Sequence, residues 1–292
     1  FWKTFKDLFI FMKSIELRGD EYVQFSRFVY KNNYGSSDLS ELKNWEQPLK
    51  FKEKSYFLQQ QAGGPCGVYA AFNSHIVYQM KLPENSSKTP EQLFHSVILD
   101  IFKRVSIYSN SKNPEYKPIY VFCDCLIPDN NFIHFQYTES PKEASDFLTR
   151  TRYINAYNSC LGLTLSIIFA SLGMNEFRNP SEYQYICSDK MTSMALVFLI
   201  LNGSIDPISN LNLSSTDDSD FDGFDQKEIG IRVLDEGGSA INNSWLNRKA
   251  TIFVCLKFSH FYVVEIEGDQ LIVYDSLNPR PTYKIDRKRS GW

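Results

Sequence analysis

The sequence lacks a hydrophobic run of the length that a membrane-spanning helix requires. Its longest apolar segments, MALVFLILN and LGLTLSIIFA, are about nine and ten residues long, whereas a helix needs about 20 apolar residues to cross a bilayer. Both segments are therefore predicted to lie in a protein core, and no membrane is expected among the partners of this chain.

An excess of positive charge is also missing. The 292 residues carry a formal net charge of -3 at pH 7, which gives the chain no general attraction for the phosphates of nucleic acid or for anionic lipid. Nucleic acid is therefore not an expected partner either.

The six cysteines lack the pattern of a disulfide framework. They are scattered and lie mostly in apolar runs such as TIFVCLKF, which is typical of reduced thiols in a cytoplasmic or nuclear protein. Cys123 and Cys125 have no second pair with which to complete a metal site. The acidic stretch at 214–226 lacks the Glu that closes a calcium loop and is interpreted as a solvated surface loop. We expect neither a metal nor another cofactor.

The sequence does contain enough apolar material for one large domain, since 43% of its residues are hydrophobic. Helical spacing in the opening segment (Phe5, Leu8, Phe9, Phe11, Met12) predicts an N-terminal helical extension over 1–45, with a polar linker and a possible helix cap at Ser40. A core over 46–285 mixes helical patterns with β-type runs. We therefore predict a single domain of the α+β class.

Within this core, helices are predicted after Cys66, from Pro90, in SPKEASDFLTR, in NSCLGLTLSIIFASLG and in MALVFLILN, the last of these ending at Gly203. PIYVFCDCLI and NFIHFQYT form a predicted hairpin around PDNN. Two further strands are predicted within ATIFVCLKFSHFYVVEIEGDQLIVYDS and are joined at EGDQ.

Cys66 has an unusual setting in QQQAGGPCGVYAAF. Gly63 and Gly64 allow the backbone to approach another chain closely, and Pro65 fixes the entry to the helix that follows. A helix N-terminus favours a negatively charged sulfur through its unpaired N–H groups and its dipole. Although a cysteine here can also fill a core, this setting favours a nucleophile.

A catalytic cysteine requires a base, and the sequence offers four histidines. His75 lies more than two turns along the Cys66 helix, while His95 falls inside a helix and His134 inside a strand. His260 begins a strongly β-like run and is the best candidate. Asp275 ends the next strand, where its carboxylate is expected to orient the imidazole of His260.

Gln60, six residues before Cys66, is predicted to donate its amide N–H to the oxyanion of a tetrahedral intermediate, beside the backbone N–H at the helix start. The order Gln, Cys, His, Asp is that of papain-like cysteine peptidases. The order alone does not define a family, because such triads arise by convergence.

The motif QQQAGGPCGVYAA resembles the cysteine loop of the MINDY deubiquitinases, in the branch that reads Q-x-x-GGPCG-V-x-A. FSHFYVV and VYDSL are similar to its His strand and the following strand, and the resemblance runs from about residue 50 to about residue 280. It implies a papain-like fold and cleavage of isopeptide bonds in polyubiquitin, with a preference for the linkage that marks proteins for the proteasome. In this resemblance Cys66 is the nucleophile, His260 the general base and Gln60 the oxyanion residue.

Two alternatives stay open at this point. The same Cys, His and Asp order serves transglutaminase-like and acyltransferase domains, in which an amine replaces water. A ubiquitin-binding scaffold with a misaligned triad is the second alternative.

For the deubiquitinase, Gly63 and Gly64 are expected to bind substrate by forming part of a narrow channel for the Gly-Gly end of ubiquitin.

Overall fold

The computed structural model describes residues 12–32, 34–109, 119–172, 185–203, 229–234, 240–246, 250–278, 280 and 282–289. Its α-helices are α1 (Asp20–Val29), α2 (Cys66–Met80), α3 (Pro90–Ser109), α4 (Pro141–Thr151), α5 (Ser159–Ser171) and α6 (Met194–Asn202). Its strands are β1 (Lys13–Arg18), β2 (Lys50–Phe51), β3 (Leu58–Gln59), β4 (Tyr120–Ile127), β5 (Phe132–Thr138), β6 (Ile229–Leu234), β7 (Ala240–Leu246), β8 (Ile252–Lys257), β9 (His260–Glu267), β10 (Gln270–Tyr274) and β11 (Tyr283–Asp286).

The strands form two main sheets and one short ribbon. The smaller sheet has the antiparallel order β1-β5-β4, and β2 pairs with β3 in a two-residue ribbon. The larger sheet has the order β11-β10-β9-β8-β6-β7. Its strands are antiparallel except for β6 and β8, which run parallel. In the ranges above, no helix is long and apolar enough to cross a membrane.

Helix α2 packs against β8 and β9 of the larger sheet and against α3 and α6. Every residue of this helix from Cys66 to Val77 is buried. A helix that is buried on all sides lies in the centre of a core, and its buried polar side chains Asn73, Ser74 and His75 each have a hydrogen-bond partner there. The side chain at its first residue is therefore held firmly by its surroundings.

Several elements predicted from the sequence are confirmed. Helix α3 begins at Pro90, and β4 and β5 pair across the short turn at 128–130. Ser140 caps α4 by accepting a hydrogen bond from the Glu143 amide. Helix α6 ends at Gly203, whose φ of 82° is a conformation that glycine adopts without strain.

The opening segment differs from its prediction. Phe5 to Phe11 lie outside the described residues, and the segment that follows them is strand β1, which pairs antiparallel with β5. Helix α1 comes only after that strand. Its Phe25 packs edge-on against Phe135 and Phe169 in the main core. The described part of 1–45 thus contains one strand besides its helix, and it packs against the core.

The predicted cap at Ser40 is also wrong. Asp38 caps a short 3-10 helix by accepting a hydrogen bond from the Ser40 amide at 2.8 Å. A second 3-10 helix follows and ends at Trp45, which is fully buried. The segment interpreted as a polar linker is ordered because this large aromatic side chain is packed in the core.

The region in which we predicted the last two strands contains three strands, β8, β9 and β10. The first β-type run is divided by a tight turn at Phe258 and Ser259, where Phe258 has a φ of 51°. His260 is consequently the first residue of β9, directly after a turn. The second turn lies at Gly268 and Asp269, within the predicted EGDQ. The acidic stretch at 214–226 lies outside the described residues.

Candidate active site

Cys66 is the first residue of α2, and Pro65 occupies the N-cap position. The sulfur points into the protein, with 1% of the residue exposed. Its thiol donates a weak hydrogen bond, 3.7 Å from Sγ to the carbonyl oxygen of Ser259 in the turn before β9. The structure therefore brings the cysteine loop and the histidine strand into contact.

The start of α2 is held by a residue that sequence reasoning missed. Thr192 Oγ accepts a hydrogen bond from the Gly67 amide at 3.2 Å and donates one to the Gly64 carbonyl at 3.0 Å. The Thr192 amide donates to the same carbonyl at 2.9 Å. Thr192 thus acts as an N-cap supplied from a distant part of the chain. Because the Gly67 N–H already donates to Thr192, it is not available as a donor to an oxyanion.

The two glycines before Pro65 have different surroundings. Gly64 has a φ of 112°, and a methyl group on its Cα would lie 3.0 Å from both the Lys190 carbonyl oxygen and Trp45 Nε1. Gly63 is exposed, and a methyl group there would have no atom within 4 Å. Of the two residues predicted to line a substrate channel, the structure packs Gly64 against the protein and leaves Gly63 open.

His260 and Asp275 are brought together by the larger sheet. Tyr274 pairs with Val263 across β10 and β9, so Asp275, one residue further on, lies diagonally across from His260 on one face. His260 Nε2 is 3.0 Å from Asp275 Oδ1. With Nε2 occupied in this way, Nδ1 is the ring nitrogen available to Cys66.

The electrostatics of this pair favour charged forms. Hydrogen bonds with Asp275 and, second, with Cys66 raise the pKa of His260 to about 9, which outweighs the opposing effect of burial. Burial pushes the pKa of Asp275 upward, but the hydrogen bond and the charge of His260 outweigh it, so the pKa of Asp275 is lowered overall. With a pKa of about 9, His260 is an imidazolium at neutral pH.

Gln60 is buried beside this group and hydrogen-bonded on both sides of its amide. Nε2 donates to the Ala62 carbonyl at 2.6 Å, and Oε1 accepts from Ser276 Oγ at 3.0 Å. The Gln60 backbone amide also donates to the Ser276 carbonyl at 3.0 Å. Since a carbonyl can only accept, Ala62 fixes which end of the amide carries the N–H groups.

Ser276 is the second residue that sequence reasoning missed. It follows Asp275 directly, so one short segment contacts the imidazole of His260 through one residue and the amide of Gln60 through the next. The sequence VYDSL shows that a serine follows Asp275, but an Asp-Ser pair after a strand is also an ordinary start of a turn. The pair alone therefore does not indicate a contact with Gln60.

The other histidines have different partners. His75 is buried, which lowers its pKa well below the ordinary value, and its Nε2 lies 3.2 Å from the Ile200 carbonyl. Burial also lowers the pKa of His95. His134 Nδ1 lies 2.5 Å from Asp124 Oδ1, and this hydrogen bond raises the pKa of His134.

Cys123 and Cys125 do not belong to a metal-binding cluster formed by described residues. Burial raises the pKa of both thiols, which opposes the deprotonation that metal binding requires. In the part of the chain that the structure describes, no group of three His, Cys, Asp or Glu residues has the arrangement of a metal site. All six cysteines are free thiols.

No protein-family model, curated protein or solved structure matches this chain. The chemistry of the site therefore has to be argued from its own geometry, together with the motif around Cys66.

Proposed function

We propose that the chain is a cysteine-type deubiquitinase with a papain-like catalytic domain, a member of the MINDY family that hydrolyses isopeptide bonds in polyubiquitin. The observation that supports this most is the contact of Cys66, at a helix N-terminus, with a charged His260 that is oriented by Asp275. A triad is recognised by such geometry and by the roles of its members.

In the proposed reaction the Cys66 thiolate attacks the carbonyl carbon of the C-terminal glycine of ubiquitin. The resulting oxyanion accepts a hydrogen bond from the Gln60 amide, since Ala62 takes only one of the two Nε2 protons. His260 gives its proton to the lysine nitrogen as the carbon–nitrogen bond breaks. Water, deprotonated by His260, then cleaves the thioester and releases ubiquitin with a free carboxylate.

The substrate class rests on the resemblance of the GGPCG motif, which also favours the linkage that marks proteins for the proteasome. The open position of Gly63 beside the nucleophile suits the close approach of a Gly-Gly tail. Gly64 serves the loop itself by allowing its backbone turn. The six free thiols favour a reducing compartment, cytoplasmic or nuclear.

One observation favours the scaffold alternative. Only 1% of Cys66 is exposed, and a carbonyl carbon cannot reach a covered sulfur unless neighbouring groups move. A deubiquitinase needs substrate binding to uncover the sulfur. A scaffold would bind ubiquitin without that movement.

The test is incubation with ubiquitin that carries a C-terminal propargyl electrophile, followed by intact mass measurement. We expect one ubiquitin adduct on the native chain, no adduct on Cys66→Ala, and an adduct on Cys125→Ala, which removes a partly exposed thiol away from the triad. Binding of ubiquitin without an adduct would support the scaffold. If the chain neither binds ubiquitin nor forms an adduct with it, ubiquitin is not the substrate.

A further inference from the structure

Lys52 is a buried lysine beside the candidate site. It follows strand β2 directly, and 4% of the residue is exposed. Lysine is almost never fully buried unless its charge is paired or its protons are hydrogen-bonded. The position of Lys52 therefore requires a set of acceptors.

The acceptors are three backbone carbonyls of a single turn. Lys52 Nζ lies 2.6 Å from the carbonyl oxygen of Asp275, 2.5 Å from that of Asn278 and 3.1 Å from that of Arg280. An ammonium group has three protons, so these three bonds use its full capacity. Burial lowers the pKa of Lys52, and the nearby charge of Asp275 opposes that effect.

The same turn supplies the two groups that orient the catalytic side chains. Its first residue, Asp275, binds His260, and its second residue, Ser276, binds Gln60. The turn satisfies some of its own N–H groups, because Leu277 donates to the Asp275 carboxylate and Asn278 to the Asp275 carbonyl. Lys52 Nζ donates to carbonyl oxygens at both ends of this turn and thereby links the two ends.

Lys52 is itself fixed in the hairpin that carries Gln60. Its amide donates to the Phe57 carbonyl at 2.8 Å, and its carbonyl accepts from the Ser55 amide at 3.1 Å. Strand β3 ends one residue before Gln60. One side chain thus connects the hairpin of the oxyanion residue with the turn of the third triad residue.

We propose that Lys52 is a positioning residue of the active site, which holds the 275–280 turn so that Asp275 orients His260 and Ser276 orients Gln60. Its positive charge also favours the ionised carboxylate of Asp275, which the imidazolium of His260 needs as its partner. The catalytic part of this inference rests on the proposed deubiquitinase function, whereas the effect on His260 does not.

The test compares Lys52→Met with Lys50→Met, which removes an exposed lysine two residues earlier. Histidine-labelled protein is titrated by NMR, and the His260 signal is assigned with His260→Ala. We expect the pKa of His260 in Lys52→Met to fall by about one unit toward its ordinary value near 6.5. We expect the rate of reaction with the ubiquitin probe to fall about 10-fold to 100-fold, as for residues that orient a functional ligand. Lys50→Met should match the native chain in both measurements.

A lysine that only stabilises the fold would give a different result. Lys52→Met would then unfold at lower urea, while the His260 pKa and the probe rate of the folded protein stayed unchanged, and this outcome would overturn the proposal. If Lys52→Met does not fold, Lys52→Ala and Lys52→Gln are compared at a permissive temperature: Lys52→Ala removes all three donors and should lower the His260 pKa, Lys52→Gln keeps two donors and should lower it less. Equal and unchanged His260 pKa values in both variants would overturn the proposal. If the native chain fails to react with the probe, the deubiquitinase function fails, but the titration still decides the role of Lys52.

Discussion

Replacing Asp275 by Asn separates the charge of the third residue of the proposed triad from its hydrogen bond to His260. In Asp275→Asn an amide oxygen still accepts from His260 Nε2, but the negative charge is gone. In the native protein the pKa of His260 rises from 6.5 to about 9, with the Asp275 hydrogen bond as the largest cause. Charge-assisted hydrogen bonds are about twice as strong as neutral ones. We therefore expect the variant to lose roughly one unit of that rise.

This change has a definite sign for stability. The pKa of His260 is raised in the folded state, so its proton stabilises the fold fully below pH 6.5 and this contribution is lost as the pH rises through about 9. One pKa unit corresponds to about 1.4 kcal/mol. The His260 side chain is 32% exposed, so screening by solvent reduces this to about 1 kcal/mol.

The assay is urea unfolding under reducing conditions at pH 6 and pH 9. The free energy of unfolding of the native chain should fall between these values, and the fall should be about 1 kcal/mol smaller in Asp275→Asn. Asp269→Asn, which changes an exposed turn residue, should behave like the native chain. If native and Asp275→Asn lose the same stability over this interval, Asp275 does not hold the His260 proton and the reasoning is refuted.

Four further substitutions test the residues around the proposed triad. Gln60→Ala should slow cleavage of a ubiquitin dimer about 100-fold or more at saturating substrate, and an unchanged turnover rate would exclude Gln60 from the oxyanion site. Thr192→Val should lower the free energy of unfolding in urea by about 1–2 kcal/mol, because it removes the cap of α2; equal stability would show that the cap contributes nothing. Gly64→Ala should lower the free energy of unfolding by about 1–3 kcal/mol in the same assay, because Gly64 has a positive φ. Gly63→Ala should change it by no more than about 0.5 kcal/mol, and equal effects of the two substitutions would contradict the packing of Gly64.

The local parts of the site could be predicted from the sequence, since each is written in a few adjacent residues. A Gly-Gly-Pro entry followed by small apolar residues identifies Cys66 as the start of a helix. Alternating apolar residues on both sides of EGDQ identify a hairpin, and the hairpin alone brings Asp275 near His260. These signals are short-range, because secondary structure is a periodic property of neighbouring residues.

The supports of the site could not be predicted in the same way. Thr192 contacts α2 from 125 residues away, and Lys52 contacts the 275–280 turn from more than 220 residues away. Ser276 reaches Gln60 across a similar separation. Such contacts depend on how helices and sheets pack together, and a single Thr, Ser or Lys carries no pattern that indicates its partner.

The same limit explains why strand β1 was not predicted in the opening segment. Ile15 and Leu17 alternate with polar residues in KSIELR, which is a strand pattern, but it covers only six residues. What makes β1 a strand is the free edge of β5, since that edge provides its hydrogen-bond partners. The sequence of residues 1–30 does not indicate that a free strand edge is available, because β5 begins more than a hundred residues later. Tertiary pairing therefore decided the structure of a segment whose own propensity was ambiguous.

The geometry of Cys66 separates two requirements of the proposed catalysis, a suitable charge distribution and access to the sulfur. The charge distribution is already in place, because His260 is protonated and Asp275 holds it through Nε2. Access is not, because the sulfur is covered and its thiol points to the Ser259 carbonyl. That weak bond exists only while the sulfur keeps its proton, so it disappears when the thiolate forms. Under the proposed function, substrate binding therefore has to expose the sulfur and displace its thiol proton, whereas the paired charges of His260 and Asp275 need no rearrangement.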